Sequence, residues 1–444
     1  MPAILEKIKY KIKDVSAQSL IKISLFLNWP KFTVFGLWLA SSRINPKCES
    51  QYTVLCLGRS IFVDDVNAMA AYGKQIRYII IWRTYFQVIF RHFIRCPEEE
   101  KLTEENYYHS NYCREGKLKY KAYLEKMFPA MKKMLGFDAV LSGSFTYMEQ
   151  QELANVCEEN RTPVVTLFKE GIAFTASGAY ERWMNQTRQC KFIGAKMLLY
   201  GNKIMEALSA STTGIPGLSP EKLKVVGAPR LDCYFTGEKT AESARQIVFF
   251  SFYSYNFYHL ADSPSQLEEA EKRCVDFHKW VMNFAKNHKD FKVIIKTKLP
   301  DHYLNYVKEI YNEAIAGDKK EIDNLTITNL GDSAQMIKDS RAVMGFYSTT
   351  LMEAIVADKI SISPYFGDII TDKPWDYFAK FPELINYVKT EADLKEYIFN
   401  PDKFLDYNSK IREEFLKGLI HIPDGRASLR AETAIIETIK EYKK

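Results

Sequence analysis

After Pro46 the chain alternates short apolar runs with amphipathic stretches. Runs apolar at nearly every position fit strands buried on both faces, and the stretches between them fit crossover helices, so the pattern predicts parallel sheets. The first set of strands is expected at 53–57, 78–81, 139–141, 164–168, 197–200 and 224–226, with helices over 84–95, 117–135, 149–160 and 180–189. A second set begins near Gln246, with strands at 247–251, 292–296, 325–327, 342–344 and 360–363 and helices over 266–287, 303–316, 333–338 and 350–357. The polar stretch 236–245 between the two sets reads as a linker. Ligands of such sheets bind outside the carboxyl ends of the strands, which is where chemistry is sought.

Composition narrows the class. A chain of 444 residues, 47% hydrophobic and 26% charged, is a folded protein too large for one core. The eight cysteines form no CxxC pair, and the expectation is buried thiols in a reducing compartment rather than zinc sites or a disulfide framework. No secretory signal pattern occupies the start, which predicts a cytoplasmic location. The segment 19–40 is apolar and aromatic but is interrupted by Lys22, Asn28, Pro30 and Lys31, so it falls short of a membrane span. Its lysines and aromatics leave two readings open: a segment lying on an anionic membrane surface, or a helix pair packed on the first domain. Sixty-one basic residues against 55 acidic ones are too mild an excess to indicate a nucleic-acid binder.

Three clusters fall at expected strand ends in the second half. In Gly227-Ala228-Pro229-Arg230-Leu231-Asp232, Arg230 offers a planar fork for phosphate or carboxylate. In Lys296-Thr297-Lys298-Leu299-Pro300, Lys296 and Lys298 are two residues apart, so an extended chain points both at one anion. In Gly345-Phe346-Tyr347-Ser348-Thr349-Thr350-Leu351-Met352-Glu353, a hydroxyl-rich turn opens a helix. There Ser348, Thr349 and Thr350 supply cap hydroxyls and free N–H groups for a phosphate, and Glu353 closes a capping box or grips a ribose hydroxyl.

In the first half, Glu170 follows the strand 164–168 and is the expected proton acceptor for an incoming hydroxyl, with Asp64 and Asp65 as rivals. Arg59, Ser142 and Lys169 are the expected acceptor contacts. The chain carries no DxD, HExxH, GxGxxG or Walker pattern, so no metal and no cofactor is expected.

The order GxPR-x-D, K-x-K-x-P and S-T-T-x-x-E-A, over residues 225–366, resembles the donor-binding half of GT-B enzymes that assemble bacterial surface polysaccharides. It is similar both to Kdo and sialic-acid-type transferases, which use CMP-sugars, and to teichoic-acid glycerophosphotransferases, which use CDP-glycerol. Leu299-Pro300 stands where the former carry His-Pro, with His302 two residues on, and Gly345-Phe346-Tyr347-Ser348-Thr349 stands where the latter carry a DYSS-like motif. The resemblance implies an α/β, GT-B fold of two Rossmann-like domains with parallel sheets facing a central cleft. A basic segment (1–45) would precede an acceptor domain (46–235), a linker (236–245), a nucleotide-donor domain (246–390) and helices (391–444) that cross back to the first domain. It further implies a metal-independent glycosyltransferase moving a sugar from a nucleotide-activated, CMP-linked donor to a lipid-linked lipopolysaccharide or capsule acceptor at the inner face of the membrane. The alternatives are a CDP-polyol glycerophosphotransferase and a non-catalytic binding protein of the same fold.

Overall fold

The computed structural model of the chain describes residues 2–45, 49–97, 100–169, 178–209, 214–236, 245–253, 261–316, 320–346, 348–369, 378, 381–400 and 409–444. The chain divides into two compact units. The first comprises Met1–Ile172, Arg182–Asp232 and Gly418–Lys444, and the second comprises Ala173–Glu181 and Cys233–Lys417.

The first unit opens with helices α1 (Pro2–Phe26) and α2 (Pro30–Ala40) and a short strand β1 (Ser42–Ile44). Alternating strands and helices follow: β2 (Thr53–Gly58), α3 (Ser60–Ala68), β3 (Arg77–Trp82), α4 (Arg83–Phe93), α5 (Arg114–Leu135) and β4 (Ala139–Ser142). Then come α6 (Met148–Glu159), β5 (Val164–Phe168), α7 (Gly178–Gln189), β6 (Lys196–Leu199), α8 (Asn202–Ser209) and β7 (Leu223–Val225). Among the described residues these strands make a seven-stranded sheet in the order β1-β3-β2-β4-β5-β6-β7. All pairs are parallel except β1 with β3. β2, β4 and β5 are buried at every position, which is why they read as unbroken apolar runs.

The second unit runs through β8 (Gln246–Phe250), α9 (Pro264–Asn287), β9 (Lys292–Lys296), α10 (Asp301–Ile315), β10 (Leu325–Thr328) and α11 (Ser333–Lys338). It continues with β11 (Ala342–Met344), α12 (Thr349–Val356), β12 (Ile360–Pro364), β13 (Asn386–Val388) and α13 (Glu391–Phe399). Its described sheet has six strands, all parallel, in the order β10-β9-β8-β11-β12-β13. The helix Ser409–Ile420 then leads to a C-terminal helix, Ala427–Lys443.

The C-terminal helix is fastened to the first unit by polar groups. Asp232 caps its N-terminus, accepting from Ala427 N at 3.0 Å and Ser428 N at 2.7 Å. One turn on, the buried Glu432 accepts from Tyr78 Oη at 2.6 Å and Gln75 N at 2.7 Å. Gly73 leaves room for that carboxylate, since a Cβ there would stand 2.3 Å from Glu432 Oε2.

Two expectations change. α1 and α2 form a helix pair that buries Ala17, Ile21, Leu25, Val34 and Leu37 in the first unit's core, as the packed reading required. Ile23, Phe26, Trp29, Phe32 and Trp38 are nevertheless exposed. The cysteines are not all free: Cys96 and Cys113 are disulfide-bonded, with Cα atoms 5.5 Å apart. The pair was missed because 17 residues separate the two, and only the return of the chain from α4 to α5 brings them together.

Candidate functional site

In a doubly wound sheet a crevice opens where the strand order reverses, between the carboxyl ends of the two strands whose connections leave in opposite directions. In the first unit those strands are β2 and β4; in the second they are β8 and β11.

At the first edge, Arg59 follows β2 and is exposed, and its guanidinium donates to Tyr147 Oη and lies 5.2 Å from that ring's centroid. Arg83, at the end of β3, lies 3.8 Å over the same ring and donates to Glu149 Oε1 at 2.6 Å. Burial holds the Glu149 carboxyl above its ordinary value, and the Arg83 charge offsets only part of that rise. Two guanidinium groups therefore bracket one tyrosine, and Glu149 pairs with that of Arg83. Ser142 is buried, donating to Gln150 Oε1 at 2.6 Å or Ser144 O at 2.7 Å, so it shapes the loop after β4. Lys169 is buried just past β5, its N–H donating to Gly143 O at 3.2 Å. Glu170 lies outside the described residues.

Asp65 and Arg230, expected in separate roles, meet in the first unit. Asp65 is fully buried, accepting from Arg230 N at 3.1 Å, from Arg230 Nη1 at 3.3 Å and from Tyr200 Oη. Burial raises its carboxyl, and Arg230 and Tyr200 oppose that rise. A group with no exposed surface whose two oxygens receive three donors is suited to holding Arg230, not to taking a proton from a substrate. Asp64 is the exposed member of the pair. With Asp232 capping the C-terminal helix, the Gly227–Asp232 turn, just past the end of β7, has its charged side chains engaged inside the first unit.

At the second edge, Lys296 ends β9. It is buried, at 8% exposure, and its ammonium donates to Asn329 O at 3.2 Å. Among the described residues no carboxylate lies within ion-pair distance of it, and burial alone holds its pKa below the ordinary lysine value. Lys298 does not share this environment: the strand stops at Lys296, and Lys298 is exposed, its Nζ 5.4 Å from the Tyr303 ring centroid. His302 is exposed in the first turn of α10.

After β11 the chain passes Gly345 into α12. Ser348 is the N-cap, accepting from Thr350 N at 3.2 Å and Thr350 Oγ1 at 2.8 Å, while Thr349 and Thr350 are half-buried in the first turn. Glu353 closes no capping box, because it sits one position pair beyond the third helical residue, Leu351; its carboxylate accepts from Tyr234 Oη at 2.7 Å instead.

Between these two groups stands Ser251, directly after β8, its N–H donating to Lys296 O at 2.8 Å. Its hydroxyl meets His278 Nε2 at 2.8 Å. Sequence reasoning missed Arg83, Tyr147 and Glu149 as well as Ser251 and His278. The available signals were Arg83 immediately after an apolar run and the four-residue spacing of Cys274 and His278 on one face of α9.

No protein-family model matches the chain, and no curated protein matches it. Solved structures do. One is a putative UDP-N-acetylglucosamine 2-epimerase from Listeria monocytogenes, at 12% identity and a TM-score of 0.50, over 88% of this chain and 97% of that one. Another is the wall teichoic acid polymerase TagF, as a variant soaked with CDPG, at 12% identity and a TM-score of 0.50, over 98% of this chain and 99% of that one. At such identity the likeness speaks to architecture: the chain has an α/β, GT-B fold with two parallel-sheet domains.

Proposed function

We propose that the chain is a GT-B transferase that takes an activated group from a cytidine nucleotide and passes it to a carbohydrate acceptor, and that a CMP-linked sugar of the Kdo or nonulosonic type is the donor. The observation that carries this is Lys296: a buried ammonium with no carboxylate partner among the described residues, at the carboxyl end of β9, in the sheet whose strand β11 leads into α12. A buried charge left unpaired costs stability unless a ligand anion completes it. A phosphate on Lys296 does so, and the start of α12, where Ser348 Oγ and O already take Thr350 N and Leu351 N, adds the positive end of its dipole. Lys298, Thr349 and Thr350 line the approach, and Glu353 stays in reach of a ribose hydroxyl.

Glu170, at the end of β5, is the base for the acceptor hydroxyl, with exposed Asp64 as its rival; Asp65 positions Arg230. Arg59, Lys169 and Ser142 belong to the acceptor side. With cations and a helix terminus available to meet the leaving phosphate, the reaction proceeds without a metal.

The second reading, transfer of a polyol phosphate from a CDP-activated donor, is supported by the match of the CDPG-soaked polymerase over 98% of this chain. Both donors leave CMP behind. Thermal shifts with CMP, CDP, UMP, UDP and GDP test the shared claim. CMP is expected to raise the melting temperature most, and Glu170→Gln is expected to keep that shift while losing transfer. A chain indifferent to all five nucleotides overturns the cytidine-nucleotide reading.

The α1–α2 surface supports a location at the membrane. No helix among the described residues is long and apolar enough to cross a membrane. Phe26 is 85% exposed, and Trp29 and Phe32 about half, beside the exposed Lys22 and Lys31. This face rests on the anionic inner surface of the membrane, where a lipid-linked acceptor is presented. The triple change Phe26→Ser, Trp29→Ser, Phe32→Ser spares the buried face of the pair and is expected to abolish sedimentation with phosphatidylserine vesicles.

A further inference from the structure

The environment of His278 fixes which of its nitrogens carries the proton. The imidazole is fully buried on α9 and ringed by Phe249, Phe252 and Tyr306, with ring centroids 4.7, 5.6 and 5.7 Å away. Such surroundings keep it neutral, and burial pushes its pKa down to about 4. Its Nδ1 stands 2.7 Å from Cys274 O. A carbonyl only accepts, so Nδ1 bears the hydrogen and Nε2 is left with a lone pair. Nε2 lies 2.8 Å from Ser251 Oγ, so the serine is the donor in that bond. The other acceptor near that hydroxyl, Phe252 O, is 3.5 Å away and competes weakly.

A serine whose single proton is committed inward shows only lone pairs outward. Ser251 is half-buried, at the carboxyl end of the central strand β8, on the switch point between Lys296 and the turn into α12. The two neighbours attract an anion. An acceptor-only oxygen repels one, and instead satisfies an N–H or O–H.

We propose that Ser251 is a specificity residue of the nucleotide site, accepting a hydrogen bond from an O–H or N–H of the nucleoside, and that His278 is the positioning residue that sets this polarity. The inference rests on the nucleotide reading above and deepens it, by dividing the site into an anion-seeking part at Lys296 and α12 and a donor-seeking part at Ser251. Two nucleoside groups offer this chemistry, a ribose hydroxyl and the exocyclic amine of cytosine.

The test is calorimetric binding of CMP, 2′-deoxy-CMP, 3′-deoxy-CMP and UMP to the full chain, its Ser251→Ala variant and its Ser251→Thr variant. One missing neutral hydrogen bond is worth about 3- to 10-fold in affinity. The parent is expected to bind CMP that much more tightly than one of the analogues: a deoxynucleotide if the ribose is read, UMP if the amine is. Ser251→Ala should bring that ratio to about one, and Ser251→Thr, which keeps the hydroxyl, should restore it. Should Ser251→Ala fail to fold because Nε2 is left without a donor, Ser251→Ala/His278→Phe removes both partners and answers the same question. Nitrogen-15 spectra of the histidines should show His278 neutral and protonated on Nδ1. A discrimination ratio unchanged in Ser251→Ala, or protonation on Nε2, overturns the inference while leaving Lys296-dependent CMP binding intact. No nucleotide bound by the parent overturns the inference and the reading together.

Discussion

Replacing Lys296 by methionine separates function from stability, because the two should move in opposite directions. Methionine is of similar length and fills the same space without charge. The folded chain then loses one hydrogen bond to Asn329 O, worth about 1 kcal/mol. It also no longer holds an ammonium away from water without a carboxylate, a cost of several kcal/mol for a fully buried ion and less for a side chain whose tip reaches the sheet edge. We expect a net gain of about 1 kcal/mol, which in a unit of roughly 200 residues raises the melting temperature by about 2–4 °C. The pH dependence has a definite sign. The native ammonium is held below its ordinary 10.5, so in the interval below 10.5 the unfolded chain binds more protons and stability climbs with pH. Lys296→Met removes that climb. CMP, by contrast, loses one or two charge-assisted contacts, about 2–4 kcal/mol in total, or about 30- to 1000-fold in affinity. Thermal unfolding with and without CMP measures both effects on one sample. A variant that melts lower than the parent and still binds CMP normally would refute the assignment of this lysine to a phosphate.

Glu432 should give the first unit an acid-favoured stability. Burial raises its carboxyl from the ordinary 4.5 to about 7, so native protein holds a proton that the unfolded chain releases, and stability falls as pH rises from 4.5 through 7, by about 3 kcal/mol in all. Urea midpoints of parent and Glu432→Gln at pH 5 and pH 8 should differ in slope, and equal slopes would discard the idea. The bond between Cys96 and Cys113 closes a loop of 17 residues and should contribute about 3 kcal/mol by restricting the unfolded chain. Reductant should therefore lower the urea midpoint of the parent and leave that of Cys96→Ser unchanged.

The central strands were legible because each is a continuous apolar run: residues 292–296 were expected as a strand and β9 spans Lys292–Lys296. The edges were not. β1 and β13 are three residues each, and β13 is only partly buried, so neither carries an apolar run to notice. The helices α3 and α8 were passed over as well. They are nine and eight residues long and begin right after a strand, where the sequence reads as a loop. For the site, chain position was informative and partnership was not. Lys296 and Ser348 stand at the strand end and helix start expected of them. Arg230, whose motif suggested a phosphate, meets Asp65, 165 residues earlier, and no local pattern announces a pairing across that distance. His278 was invisible for the same reason: its meaning depends on Ser251, which lies on another element.

The cap that Asp232 places on the C-terminal helix has a consequence for synthesis. The two partners lie 195 residues apart in the chain, so at a ribosomal rate of about 5–20 residues per second roughly 10–40 s pass between them. Throughout that interval the nascent first unit has its sheet in place but an unfilled slot where Glu432 will meet Tyr78, and an uncovered flank where the helix will lie. The second unit ends at Lys417, so all its residues are at hand sooner. Vectorial synthesis thus inverts the order of the sequence, and the part translated first is the last to close, which makes the chain a natural client for a holding chaperone during those seconds.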